Sequence, residues 1–213
     1  YAFSRWSDDL GDEVGSHARA NELLDWWEDQ VREMARGNAR HPVMIALRGT
    51  IEDFSIPIDP LLDLISAFRQ DQVKERYETV AELCDYCTRS ANPVGRIVLY
   101  LLRRATPARI AWSDAVCTGL QWTNFLQDVA VDLFDKGRIY LPGEVLESFG
   151  VTEESLRTRQ STRGFQEMMR QEIRRAEEWL NQGQPLAQSL QGRSRLMVAL
   201  FSQGGKRMLR RIE

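Results

Sequence analysis

No run of about eighteen apolar residues occurs anywhere in the chain, so no segment reads as a membrane-spanning helix. Cysteine is scarce: three in 213 residues, an odd number that lays out no disulfide framework and fits a reducing, cytoplasmic setting. Histidine is scarcer still, with two, and neither completes a Glu-x-x-His pattern, the signature of di-metal oxygenases built in helical bundles. A basic excess is missing as well, and the net charge of -3 argues against a nucleic-acid partner. No GxGxxG run is present, so no nicotinamide site is expected. Alternating runs rich in Val, Ile and Thr are absent, which leaves nothing that reads as a strand. No secretory signal is visible, and the chain opens at Tyr1 inside an apparent helix, so an upstream segment is expected.

What is there is helical. Hydrophobic residues make up 43% and charged residues 28%, the balance of a soluble globule, and one domain over residues 1–213 is expected. Apolar residues recur every three or four positions and predict helices over 1–14, 17–36, 42–54, 60–71, 80–105, 107–134, 164–181 and 193–212. Asp59-Pro60 and Thr106-Pro107 each place a capping residue before a proline at a helix start. Pro93 should break the fifth helix, and residues 135–141, with Gly137 and then Pro142, should form a loop. Cys84 and Cys87 form a CxxC, but they follow the capping pattern Thr79 to Glu82 and so fall inside a helix, where core packing explains them better than redox or zinc chemistry.

Helical geometry collects carboxylates on two faces. At 100° per residue Tyr1, Arg5, Asp8 and Asp12 share a sector of roughly 60°, while Phe3, Trp6, Leu10 and Val14 gather opposite. Gln121, Asn124, Asp128 and Asp132 share roughly 80° of the 107–134 helix, and Trp122, Phe125, Leu126, Val129 and Leu133 share another face. That second helix is apolar enough to be central, and carboxylates there need cations, because a buried unpaired ion costs several kcal/mol. Mg²⁺ suits them: it takes oxygen ligands, often one or two carboxylates, with substrate phosphates supplying others. Two such stripes facing one another across a bundle would hold a diphosphate.

Three motifs also resemble a known family. The run YAFSRWSDDLGDE at 1–13 is similar to the first aspartate-rich motif of squalene and phytoene synthases. QWTNFLQDVAVD at 121–132 with KGRIYLP at 136–142 resembles the second motif and its trailing loop, and YCTRSANPVG at 86–95 resembles the tyrosine-bearing helix. FRQDQVKERY at 68–77 and SDAVCTGL at 113–120 resemble the hydroxysqualene synthase branch of bacterial hopanoid biosynthesis. Gln127 leans the same way, standing where the presqualene diphosphate and phytoene synthase branches commonly carry arginine.

The resemblance implies an isoprenoid-synthase-type helical bundle around a central cavity. It implies Mg²⁺ on Asp8, Asp12, Asn124, Asp128 and Asp132, with Tyr1, Arg5, Gln121, Asn124, Lys136 and Arg138 binding substrate. Tyr86 would stand near a carbocation, although a buried tyrosine with a satisfied hydroxyl is the other reading; Arg138 could instead cap a helix end. The implied reaction is presqualene diphosphate plus water to hydroxysqualene and diphosphate, a carbon–oxygen lyase chemistry. The alternatives are head-to-head prenyl transfer between farnesyl diphosphates and a non-catalytic helical scaffold. Lys206, Arg207, Arg210 and Arg211 alternate with Met208, Leu209 and Ile212, a pattern shared by solvated helix ends and by helices lying on a membrane surface.

Overall fold

The structure, a computed structural model, describes residues 1–212; the side chain of Asp12 and residue Glu213 lie outside that description. Its helices in chain order are α1 (Ala2–Asp12), α2 (His17–Ala35), α3 (Pro42–Phe54), α4 (Asp59–Asp71), α5 (Val80–Ser90), α6 (Asn92–Leu101) and α7 (Pro107–Gln127). They continue with α8 (Val129–Asp135), α9 (Gly143–Ser148), α10 (Glu153–Arg157), α11 (Arg163–Gln182), α12 (Gln184–Ser189) and α13 (Gly192–Ile212). The fold is all-α: among the described residues there is no strand, and one parallel bridge joins Arg76 to Ile139. The chain forms two compact units, Tyr1–Lys74 with Arg89–Ala105, and Glu75–Thr88 with Thr106–Glu213.

In the first unit α1 lies on α2 and α4 through the apolar face that the spacing predicts. Phe3 and Leu10 join Leu24, Trp27, Val31, Leu61, Leu64 and Ile65 in one core. Trp6 stacks on Trp27 with ring centroids 5.6 Å apart but stays 41% exposed. A buried polar contact sets the register: Trp27 Nε1 donates to Ser7 Oγ at 2.9 Å, and that hydroxyl donates to the Phe3 carbonyl at 2.8 Å. Each polar group in this dry contact has a partner, so none is stranded away from water.

In the second unit α7 packs along α11, with Trp122, Phe125 and Leu126 buried on one side and Met168, Ile173, Ala176 and Leu180 on the other. Trp122 Nε1 donates to Glu172 Oε2 at 3.0 Å, and the fully buried Glu172 is paired with Arg175 at 3.1 Å. The helices approach closely at glycine. A methyl group on Gly183 would stand 2.8 Å from the Trp112 carbonyl oxygen and closer still to Val116.

Several expectations need correction. The 107–134 segment is two helices, because the backbone leaves helical geometry at Asp128 (φ -103°, ψ 14°). Apolar spacing runs unbroken from Leu126 through Val129 to Leu133, so periodicity carries no mark of the break. Asp59 does not cap α4 but is its first residue, following Ile58, whose side chain has no acceptor. The predicted loop starts at Lys136 rather than Asp135. Helices α9, α10 and α12 are too short to show a period; α10 rests instead on a capping box between Thr152 and Ser155. Pro93 does separate α5 from α6, and Thr106 does cap α7 by accepting from the Arg109 N–H.

Gly183→Ala is expected to destabilise the protein by about 1–3 kcal/mol through overpacking of α7 against the α11–α12 turn. Urea unfolding of both proteins measures it, and a change below about 0.5 kcal/mol, the scale of a neutral surface substitution, would contradict the close approach.

Candidate functional site

The first aspartate motif sits on α1. Tyr1, Arg5 and Asp8 border a groove of about 320 Å³ whose apolar lining is Leu64, Phe68 and Val94. Arg5 turns along its own helix, with its guanidinium 3.1 Å from Asp8, 2.7 Å from Asp9 and 3.1 Å from Glu13. A phosphate reaching Arg5 therefore competes with three carboxylates, and Asp9 joins a cluster in which sequence reasoning did not count it. The Asp12 side chain, an expected metal ligand, lies outside the description.

The second motif sits where α7 gives way to α8. Asn124, on the last turn of α7, donates from Nδ2 to Asp128 Oδ2 at 2.9 Å, and Gln127 Nε2 donates to Asp128 Oδ1 at 3.2 Å. Gln121 stands half-buried one turn earlier. The Asp132 N–H donates to the Asp128 carbonyl at 2.8 Å, which starts α8 and brings the two aspartates together. Asp132 is buried at 6% exposure. Burial pushes its carboxyl above the usual range; Lys136 opposes that, the negative charge of Asp128 adds to it, and Arg138 opposes it. Lys136 Nζ lies 3.8 Å from Asp132 Oδ1.

The loop after α8 is fixed on both sides. The N–H groups of Lys136 and Arg138 donate to the Asp132 carbonyl at 3.2 and 2.9 Å, so the Arg138 backbone closes α8 while its side chain is buried close by. Gly137 supplies the left-handed turn (φ 68°) that lets the chain reverse. Residues 75–78 then accept the loop: Ile139 N–H donates to Glu75 O at 2.9 Å, Gly143 to Tyr77 O at 2.8 Å and Glu144 to Glu78 O at 2.9 Å.

Behind this loop four buried rings pack together. Tyr140 stacks on Phe125 at 4.4 Å and 9°, on Tyr77 at 5.7 Å and on Tyr86 at 5.8 Å. Of these the sequence singled out Tyr86; Tyr77, Phe125 and Tyr140 lie in quoted motifs, but only folding gathers them. Cys84 and Cys87 lie in α5, and burial raises the Cys87 thiol far above its ordinary range, as for a packed side chain rather than a nucleophile.

Among the described residues no three carboxylates, histidines or cysteines stand together as a ready-made metal cage. The oxygen-only donors around Asp128, together with a buried carboxylate, fit a hard cation that completes its shell with phosphate or water. No helix among the described residues is long and apolar enough to cross a membrane.

The all-α architecture is that of the isoprenoid-synthase fold. The squalene/phytoene synthase model matches residues 1–213, and the chain belongs to that family. It is 34% identical over 215 residues to a hydroxysqualene synthase of Rhodopseudomonas palustris, covering all of this chain and 72% of that one. It is 34% identical over 189 residues to a phytoene synthase of Arthrospira platensis, covering 83% and 61%. Squalene synthase HpnC from Alicyclobacillus acidocaldarius superposes with a TM-score of 0.95 at 39% identity, over 100% of this chain and 80% of that one. A dehydrosqualene synthase solved with a ligand gives 0.85 at 26%, over 99% and 73%. The chain thus spans roughly three fifths to four fifths of these relatives. Members of the family synthesise isoprenoids from prenyl diphosphates with divalent metal ions.

Asp132→Asn keeps the shape of the side chain and removes the buried charge. It is expected to raise the melting temperature of the metal-free protein by about 2–4 °C, the shift that ~1 kcal/mol gives in a domain of this size. The folded carboxyl holds its proton more tightly than the unfolded one. Wild-type stability therefore falls as pH rises from the unfolded pKa through the folded one, and the variant lacks that fall. Thermal melts across pH, with and without Mg²⁺ and pyrophosphate, check both points; a variant still stabilised by that pair is not missing a metal ligand.

Proposed function

We propose that the chain carries out Mg²⁺-dependent conversion of presqualene diphosphate and water to hydroxysqualene and diphosphate. The observation that carries this reading is the Asp128–Asp132 pair at the α7–α8 break, with Lys136 beside it and the Tyr77–Tyr86–Phe125–Tyr140 cluster in the same unit. The hydroxysqualene synthase relatives at 34% and 35% identity support the branch.

Bound Mg²⁺ would neutralise charge on the departing diphosphate and so favour cleavage of its carbon–oxygen bond. Asp8 and Asp12 of the first motif would hold such ions, and so would Asp128 and Asp132 of the second, assisted by Asn124. Asn124 and Gln127 orient the Asp128 carboxylate with neutral amides, leaving its charge uncancelled. Tyr1, Arg5, Gln121, Lys136 and Arg138 contact substrate, the cations through charge-assisted bonds to phosphate oxygens. The aromatic cluster shields the carbocation from indiscriminate attack and steadies it by about 0.5–2 kcal/mol per ring face. Tyr86 steers the water whose oxygen forms the new bond and whose proton leaves. The phytoene synthase relative favours a second reading, head-to-head condensation of farnesyl diphosphate.

Full-length protein given presqualene diphosphate and Mg²⁺ is expected to release diphosphate and form an alcohol, read by mass spectrometry. Asp128→Asn should lower kcat by about 10²–10³-fold, the scale on which one electrostatic contact to a transition state matters. Consumption of farnesyl diphosphate alone would select the condensation reading, full activity in the variant would remove Asp128 from the mechanism, and turnover of neither substrate with no thermal stabilisation by Mg²⁺ and diphosphate would leave a scaffold role.

The product class points to a partner for α13, which carries six basic residues (Arg193, Arg195, Lys206, Arg207, Arg210, Arg211) and no acidic one. Leu196 and Leu200 are 61% and 62% exposed and fall within roughly 60° of Arg193, Arg207 and Arg211 on its outer face. We propose that this face rests on an anionic bilayer. Full-length protein should float with phosphatidylglycerol vesicles and not with phosphatidylcholine alone, and Arg207→Glu with Arg211→Glu should abolish flotation. Flotation that survives both charge reversals, or none with either lipid, rejects the bilayer.

A further inference from the structure

Arg76 is held by more hydrogen bonds than a surface arginine needs. Its Nε and Nη2 donate to the two carboxylate oxygens of Glu153, at 3.2 and 2.9 Å, a forked contact across 77 positions of sequence. Its Nη1 is turned the other way and donates to the carbonyl oxygens of Glu75 at 2.9 Å and Gly137 at 2.6 Å. Gly137 is the residue between Lys136 and Arg138. Fixing its carbonyl toward Arg76 fixes the peptide that follows, whose N–H is the Arg138 donor to Asp132 O, and the next N–H, of Ile139, goes to Glu75. Three consecutive backbone groups of the loop are thus tied down, two of them by residues 75 and 76.

Glu153 is itself held from the other side. Arg157 donates to its Oε1 from Nε at 3.1 Å and from Nη2 at 2.6 Å, and the Thr152–Ser155 capping box anchors the turn on which it stands. Those contacts with Arg76 and Arg157 hold the Glu153 carboxyl below its usual range, so it stays ionised in neutral solution. The Glu75 carboxylate also faces Arg76, 4.0 Å away.

We infer that Arg76 and Glu153 form a clasp that sets the Lys136–Arg138 loop in its diphosphate-binding conformation, acting as positioning residues without touching substrate. Glycine at 137 is what makes a clasp necessary: a residue in the left-handed region with no side chain has several backbone states of similar energy, and a guanidinium on its carbonyl selects one. The alternative is an ion pair that only adds stability, and partly exposed pairs of that kind contribute little, since 33% and 41% of these two side chains remain exposed. The inference rests on the reading of Lys136 and Arg138 as diphosphate ligands.

The test uses full-length protein, Mg²⁺ and inorganic pyrophosphate. Arg76→Ala and the milder Glu153→Gln should weaken pyrophosphate binding by calorimetry, the former about tenfold, the scale of losing one charge-assisted hydrogen bond. Both should speed amide exchange at Arg138 and Ile139 without reaching α7. The double exchange Arg76→Glu with Glu153→Arg restores an ion pair but not a donor at the Gly137 carbonyl, so it should recover melting temperature and not affinity. Recovery of both, or wild-type affinity and exchange in the first two variants, overturns the clasp. Lys136→Ala and Arg138→Ala separate the two ideas: if neither weakens pyrophosphate binding, the reading of the loop as a diphosphate site fails, whereas loss there with no loss in the Arg76 and Glu153 variants removes only the clasp.

Discussion

A carboxylate taken out of water organises the second unit. Asp132 is buried on the first turn of α8, where burial disfavours its charge and the neighbouring Asp128 disfavours it further. Such a group is unfavourable in an empty site and favourable in a site that holds a cation. Lys136 offers partial compensation at 3.8 Å, a weak contact that an incoming cation could replace. The break at Asp128 belongs to the same arrangement, since it lets one carboxylate end α7 while the other begins α8.

From that constraint the neighbouring features follow. The loop that leaves α8 carries a lysine and an arginine back past the aspartates, and its backbone is tied to residues 75–78 rather than left to solvent. The same strand-like pairing brings Tyr140 onto Tyr77 and Tyr86, so a polar edge and an aromatic wall are built by one stretch of chain. A carboxylate pair at a helix junction and a cluster of rings behind the loop thus lie in one unit.

The first unit solves a different problem. Its acidic motif is largely exposed and neutralised along the helix by Arg5, which spans Asp8, Asp9 and Glu13. Exposed pairs of this kind are weak and readily exchanged. What fixes α1 is the opposite face, through Phe3, Leu10 and the Trp27–Ser7–Phe3 hydrogen bonds. Acidic chemistry and packing are thus divided between two sides of one eleven-residue helix.

Much of this was written in the sequence, because helical period is a local property. The spacing of Phe3 and Leu10 against Asp8, the proline at position 93, the cap at Thr106 and the all-α class all follow from residues within a turn or two of one another. The family motifs carried Asp128, Asp132, Lys136 and Arg138 for the same reason. The break at Asp128 was not legible, since apolar spacing continues across it and no glycine or proline marks it. Nor was the meeting of Tyr77, Tyr86, Phe125 and Tyr140, drawn from three separate segments of chain, or the contact of Arg76 with Gly137 and Glu153, 61 and 77 positions away. Local chemistry is determined by neighbours along the chain, whereas burial, and with it the charge cost at Asp132, is decided by whichever distant segment folds over it.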